Sequence, residues 1–296
     1  MNVHPERQRK VPFAGFFTHV FMALFATVLS GCALGGGGSG FKIEGGDPPP
    51  DSLVTWINEQ ALATGSVKGS GKLRVVTPEY PRGRQLDMSL VAARPDYVRM
   101  RGRVGILASI FDFLADADSL HLYLPRDHAE IAQANVSGAA LMSIVASREL
   151  VEAILPPPIV LGGPGAEIML ERAKDHWIVT RTRMVGGERR LHRSVYDDQH
   201  LQLLEMSLRP VEAPVDSPEV RITYDRHAWT GRAWFPGRIS LELPGESRSV
   251  TLMFDTFEPN PATNPETFSW SVPPGTRRVP PEEMSDDFLG PAPEGE

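Results

Sequence analysis

The stretch that decides the fold is Leu86-Asp87-Met88-Ser89-Leu90-Val91-Ala92-Ala93-Arg94-Pro95-Asp96-Tyr97-Val98-Arg99-Met100-Arg101. Leu86, Met88, Leu90 and Ala92 alternate with Asp87, Ser89, Val91 and Ala93, a period of two that puts each set on its own face of an extended chain. Arg94-Pro95-Asp96 interrupts the alternation, and Tyr97-Val98-Arg99-Met100-Arg101 resumes it. The pattern predicts two strands joined by a short turn. Upstream, Leu73 and Val75 carry the same period; downstream, Leu120, Leu122 and Leu124 alternate with His121 and Tyr123 before Pro125. This spacing suits an antiparallel meander.

Two helices are expected beside the strands. Asp51 or Ser52 caps the first, whose Leu53, Trp56 and Ile57 recur at helical spacing and whose end is marked by Thr64-Gly65. The second runs over 138–154, with Leu141, Ile144, Val145, Leu150, Val151 and Ile154 on a broad face, and Pro156-Pro157-Pro158 ends it. Further strands are expected at 166–171, 175–184, 190–197, 199–208, 218–225, 236–243 and 248–257, between Asp, Gly and Pro turns. No internal repeat of 20 to 50 residues is evident. From Pro273 the chain is rich in Pro and acidic residues, and disorder is expected there, with 281–296 as an acidic tail.

The start of the chain reads as an address. Arg7, Arg9 and Lys10 precede a run from Val11 to Leu29 that is apolar except for Thr18, His19 and Thr27, and the run ends in Leu29-Ser30-Gly31-Cys32. That ending resembles the lipobox of bacterial lipoproteins. The resemblance implies a signal peptide over 1–31 and Cys32 as the lipid attachment site, carrying a diacylglyceryl group and an N-acyl group. Several acyl chains at ~0.8 kcal/mol per buried CH₂ make such an anchor effectively permanent. Ala33 rather than Asp follows the cysteine, which by the sorting rule for such lipoproteins implies the outer membrane, facing the periplasm. Residues 32–50, with Gly-Gly-Gly-Gly-Ser-Gly at 35–40, are expected as a flexible tether.

Composition excludes several classes of function. The formal charge of −7, from 30 Lys plus Arg against 37 Asp plus Glu, removes the counterion-release attraction behind non-specific nucleic-acid binding. A single Cys excludes an internal disulfide, a thiolate zinc cluster and a Cys-x-x-Cys pair. His121, His128, His176, His192, His200 and His227 lack a His-Glu-x-x-His spacing, and Asp116-Ala117-Asp118-Ser119 lacks the Gly and terminal Glu of a calcium loop. The run Gly65-Ser66-Val67-Lys68-Gly69-Ser70-Gly71-Lys72-Leu73 does not satisfy a phosphate loop: Ser66 and Leu73 stand at required Gly and Ser/Thr positions, and the run opens a strand instead of a helix. No Gly-x-Ser-x-Gly elbow is present. No metal, catalytic residue, enzyme activity or cofactor beyond the lipid on Cys32 is expected.

The order helix, meander, helix, strands resembles the LolA and LolB superfamily of lipoprotein-localisation proteins. Gly69-Ser70-Gly71-Lys72-Leu73-Arg74-Val75 is similar to the family's first strand, Ala93-Arg94-Pro95-Asp96-Tyr97-Val98-Arg99-Met100 to its Arg-Pro turn and next strand, and the stretch 118–125 to the strand after. Thr267-Phe268-Ser269-Trp270-Ser271-Val272-Pro273-Pro274-Gly275 is similar to its closing strand. The body is longer than a typical LolB, and 156–164 and 209–218 have no counterpart. The resemblance implies a mainly β (α+β) fold over 51–280: an antiparallel half-open β-barrel with a helical plug, whose groove holds acyl chains.

Leu86, Met88, Leu90, Val98, Met100, Ile222, Leu252, Phe254 and Trp270 are the candidate groove lining. The same periodicity fits a solid core, in which these side chains pack on one another. Val104-Gly105-Ile106-Leu107-Ala108-Ser109-Ile110-Phe111 follows three arginines; the resemblance implies a membrane-insertion loop with Leu107 at its tip, whereas Ile110, Phe111 and Phe113 before Asp116 fit a buried strand better. The functional expectation is a LolB-like outer-membrane lipoprotein that binds acyl chains, accepts lipoproteins from a periplasmic carrier and releases them into the membrane, with a helical lid over the groove. The alternatives are a structural or assembly lipoprotein with a packed sheet that docks envelope proteins and, last, a hydrolase of unreadable site.

Overall fold

The computed structural model describes residues 41–43, 47–105, 108–134, 148–159, 168–185, 187–215, 217–280 and 283. Helix α1 (Pro50–Ala63) leads into β1 (Ser66–Val76), β2 (Arg84–Ala93), β3 (Tyr97–Val104), β4 (Ala108–Ala115), β5 (Ser119–Leu124) and β6 (Ala129–Ala134). After α2 (Arg148–Ile154) come β7 (Ile168–Ala173), β8 (His176–Val185), β9 (Glu188–Asp197), β10 (Leu203–Pro210) and β11 (Val220–Asp225). A small hairpin, β12 (Ala228–Trp229) and β13 (Trp234–Phe235), precedes β14 (Arg238–Leu243), β15 (Arg248–Pro259) and the short β16 (Arg277–Arg278).

Apart from that hairpin, the strands form one open fourteen-stranded sheet in the order β16-β6-β5-β4-β3-β2-β1-β15-β14-β11-β10-β9-β8-β7. The protein is thus mainly β, with a large open sheet and two helices, and the sheet does not close into a barrel. Two meanders, β1–β6 and β7–β15, meet where β1 pairs with β15, with Leu73 opposite Leu252 and Val75 opposite Val250. A bulge at Ser70/Gly71 bends this seam. Gly71 belongs there because a Cβ on it would overlap the carbonyl oxygen of Met253, and backbone cannot yield as a side chain can.

The alternation read from the sequence becomes a row of opposed side chains. Leu90 lies across from Met100, Met100 from Phe113, Phe113 from Leu122 and Leu122 from Ile131, all on one inner face. Each is essentially excluded from solvent, and each such burial contributes ~1.5–3 kcal/mol. Leu150, Val151, Ala153 and Ile154 of α2 complete this cluster, while Leu53, Val54 and Ile57 of α1 pack in a second cluster with Trp177, Val179 and Tyr196.

Several boundaries differ from expectation. Pro50 takes the first turn of α1 and Pro49 the cap position without a side-chain cap bond, so neither Asp51 nor Ser52 is the cap; proline's fixed φ suits a helix start. Phe41, within the expected tether, packs its ring 5.8 Å from that of Trp56, and Ile43 N–H donates to Gln199 O at 2.7 Å. The strand expected from 199 begins at Leu203, because the Asp197 carboxylate accepts from the N–H groups of Gln199, His200 and Gln202 and holds them in a turn. Of the helix expected over 138–154, the part within the described residues is α2.

The closing strand is shifted along the chain. Thr267 and Phe268 belong to a short 3₁₀ turn (Pro265–Phe268), and the pairing with β6 is made by β16 in parallel, with Arg277 N–H donating to His128 O and Val279 N–H to Glu130 O, both at 2.8 Å. Residues 277–279, within the stretch expected to be disordered, are therefore paired on the sheet edge: backbone pairing needs no apolar side chains, so composition carries no signal for it. Of the acidic tail 281–296, only residue 283 is described.

Candidate functional site: the inner face under two helices

Arg94, read from the sequence as a turn residue, is the side chain that joins the two helices. Its Nη2 donates to Ala61 O at 2.7 Å and Pro156 O at 2.9 Å, its Nε to Thr64 O at 3.1 Å, and its Nη1 reaches Leu155 O at 3.5 Å. The first and third of these carbonyls lie at the end of α1, the others just beyond α2. Terminal carbonyls lack intrahelical partners, so one guanidinium satisfies both ends at once. Burial lowers the pKa of Arg94 from its ordinary value.

Other polar bonds hold α1 down. Asn58 copies a strand edge against Ile159, donating from Nδ2 to Ile159 O and accepting from Ile159 N–H, both at 2.7 Å. Gln60 Nε2 donates to His200 O at 2.9 Å, and Asn260 Nδ2 to Ala63 O at 2.8 Å. Beneath these contacts lies a cavity of about 80 Å³, lined by Ile57, Ala61, Ile154, Tyr196, Leu203 and Phe235, with Arg94 and His227 at its polar side. An engineered cavity of about 150 Å³ takes up benzene. The space here is smaller.

The other flank of α2 is ionic. Glu152 receives two bonds from Arg183, Nη1 to Oε2 at 2.8 Å and Nη2 to Oε1 at 3.0 Å, and a third from Arg148 Nε at 3.2 Å. Arg148 also pairs with Asp96 at 3.0 Å. Burial opposes the charge on Glu152, but the Arg183 hydrogen bonds and the positive charges of Arg183 and Arg148 outweigh it and hold the carboxyl at about 2. Burial, then Arg181 and Arg183, push His192 down to about 3. Glu149 moves up, first through burial. A second cavity, of about 30 Å³, sits among Glu152, Arg183, His192, Met206 and Ile222.

The structure brings Leu86, Met88, Leu90, Val98, Met100, Ile222 and Leu252 together in one cluster, each at most 4% exposed. They pack on one another and on α2, and Ile222 borders the small cavity beside Arg183. Phe254 packs at the margin of that cluster, 5.6 Å from Phe235. Trp270 does not belong to the set. It lies on the opposite face of the sheet, stacked 5.1 Å from His121, with its Nε1 donating to Glu130 Oε1 at 2.6 Å. Its segment crosses that face, where Arg99 Nη1 donates to the carbonyls of Thr267 and Ser269, and no alternation is present to assign a face.

Cys32 and Leu107 lie outside the described residues. Near Leu107 the strand reading holds for Ala108–Ala115, while Val104, at the end of β3, is exposed. Arg94 and the Glu152–Arg183 pair were missed as site residues. A signal for the pair existed: Arg181 and Arg183 continue the buried parity of Trp177 and Val179, so two charges stand where the period requires apolar groups. Among the described residues, no group of three or more His, Cys, Asp or Glu could hold a metal, and no helix is long and apolar enough to cross a membrane.

No protein-family model matches the chain, and no curated protein matches it in sequence. Solved structures do match in shape. An outer-membrane lipoprotein-sorting protein domain, so described, from Vibrio parahaemolyticus aligns at a TM-score of 0.50 and 12% identity over 74% of this chain and 94% of its own. A LolA superfamily protein from Nitrosomonas europaea aligns at 0.52 and 10% identity, over 76% and 99%. A DUF1329 family protein from Desulfovibrio piger aligns at 0.55 and 10% identity, over 75% and 98%. At these identities the likeness concerns the fold: the chain has a LolA/LolB-like fold.

Proposed function

We propose that the protein binds acyl chains between its apolar inner face and the two helices that Arg94 holds over it, and that it serves lipoprotein localisation from an anchor on Cys32. The observation that carries this reading is the Arg94 staple: one half-buried guanidinium joins two otherwise separate helix ends across the cavity. Opening breaks this staple together with the Asn58 and Gln60 bonds of α1 and the Glu152–Arg183 fork of α2. Opening would expose Leu90, Met100 and Ile222, against which each buried acyl CH₂ gains ~0.8 kcal/mol. No bond chemistry or further cofactor is required, and transfer follows an affinity gradient between apolar environments. Two of the similar structures are described as a lipoprotein-sorting domain and a LolA superfamily protein, which supports this choice. The finer reading is a LolB-like receptor at the outer membrane, supplied by a periplasmic carrier, with Leu107 entering the bilayer.

A second reading also has an observation in its favour. The inner face is tightly packed, with Phe113 and Met100 fully buried, as in an assembly lipoprotein whose sheet only supports a docking surface. The two readings separate in one experiment on the full-length chain in neutral phosphatidylcholine nanodiscs. Energy transfer from tryptophan to an anthroyloxy fatty acid reports uptake, with empty discs as background. Acyl binding predicts saturable uptake that Leu90→Trp reduces at least tenfold and Arg94→Leu accelerates. Background signal from a folded wild-type protein selects the packed-sheet reading.

A further inference from the structure

The inner face changes character along β8 and β9. Trp177 lies opposite Tyr196 and Val179 opposite Ser194, but Arg181 lies opposite His192 and Arg183 opposite Arg190. Arginines on a buried parity need a reason, because a charge taken from water is costly unless paired. Arg190 pairs with Glu188 and Glu219, and Arg183 with Glu152. Arg181 has no carboxylate partner among the described residues: its Nη1 donates to Pro158 O at 3.2 Å and its Nε faces His192 Nδ1 at 3.4 Å. His192, only 4% exposed, keeps an Nε2 with no hydrogen-bond partner and lines the 30 Å³ cavity shared with Glu152 and Arg183.

The carboxylate that neutralises this wall comes from the lid. Glu152 lies on α2, whose Leu150, Val151 and Ile154 cover the apolar cluster, and it meets Arg183 in the two-bond fork by which arginine recognises a carboxylate or phosphate. The fork joins a helix to a strand 31 residues further along the chain, so it breaks if the helix lifts. We propose that Glu152 occupies the place of a ligand's head group, and that on lifting of α2 Arg181 and Arg183 receive the anionic head of an acyl ligand whose chain lies on the apolar face. This rests on the acyl-binding reading above and narrows it to anionic amphiphiles.

The order along the sheet suits such a molecule. Ile222 and Met206 border the same small cavity as Arg183, so the cationic wall and the apolar cluster are contiguous. Glu152 then acts as an internal competitor, and the affinity for an anionic ligand is reduced by the fraction of molecules in which the fork is closed.

The test uses the full-length chain in neutral nanodiscs with two probes that differ in one charge, an anthroyloxy stearic acid and its methyl ester. The acid is expected to bind more tightly than the ester. Glu152→Gln is expected to tighten both probes, since lifting α2 no longer breaks the fork, and the acid about tenfold more than the ester, since only the acid takes the freed arginines. The triple variant Glu152→Gln/Arg181→Met/Arg183→Met, which removes both proposed head-group cations and leaves no unpaired charge from the fork, is expected to bind both probes alike, and circular dichroism confirms its folding. Equal binding of acid and ester by wild type and Glu152→Gln overturns the head-group proposal and leaves acyl binding standing; binding of neither probe overturns both. Displacement of the acid by millimolar inorganic phosphate, with the ester unaffected, would show a free-anion site and also overturn the proposal.

Discussion

The two meanders share one sheet but not one design. On the inner face of β2–β6, Leu90, Met100, Phe113, Leu122 and Ile131 form an unbroken apolar row, and the far edge is closed by β16. On β8 and β9 the corresponding face carries Arg181, Arg183 and His192, and the edge strand β7 exposes Met169. The first region has an inside determined by packing alone. In the second, a polar wall is matched by Glu152 of a helix. One sheet therefore carries both an apolar row and a charged wall, and α2 supplies the carboxylate that meets the charges.

This comparison can be broken most readily from the apolar side. Phe113→Ala, in the middle of the row, is expected to lose about 4 kcal/mol of stability in urea unfolding, whereas Met206→Ala, beside an existing cavity, should lose about 2. Equal losses would mean that the second region is as tightly packed as the first. Gly71→Ala strikes the seam between the meanders and should cost about 3 kcal/mol by forcing β1 away from Met253; a neutral result would show that the seam relaxes freely.

Acid sharpens the same contrast. His192 sits at about 3 in the folded protein against 6.5 ordinarily, so its contribution is complete above pH 6.5 and fades as pH falls toward 3. Glu152, at about 2 against 4.5, contributes above pH 4.5 up to about 3 kcal/mol, lost as pH falls toward 2. Melting curves from pH 7 to 3 should therefore decline, and His192→Leu should flatten the part above pH 4.5. An unchanged pH profile would place the acid sensitivity elsewhere. The smallest effect is expected at the open edge: Met169→Lys should shift stability by no more than about 0.5 kcal/mol, because the side chain is already 62% exposed.

Much of the fold was legible because β2, β3 and β5 alternate strictly, and period two leaves one assignment of faces. Leu86, Met88, Leu90, Val98 and Met100 were found together for that reason. Trp270 was misplaced because Ser269-Trp270-Ser271 has no period and its face is chosen by His121, Glu130 and Arg99, which are distant in sequence. Arg94 escaped for a related reason: nothing local distinguishes a turn arginine from one that collects four carbonyls, since Ala61, Thr64, Leu155 and Pro156 become its neighbours only in the folded chain. The Glu152–Arg183 fork was half visible, as charges on a buried parity, but its partner helix was not.

The most direct test of the central claim, that an Arg94-stapled cover must open to admit acyl chains, is to lock the cover. Ala61 and Pro156 offer their carbonyls to the same Nη2 of Arg94, so Ala61→Cys and Pro156→Cys can be joined by a short cleavable bismaleimide. Uptake of the anthroyloxy fatty acid should vanish while the bridge is intact and return when it is cleaved. Undiminished uptake by the bridged protein would contradict the account.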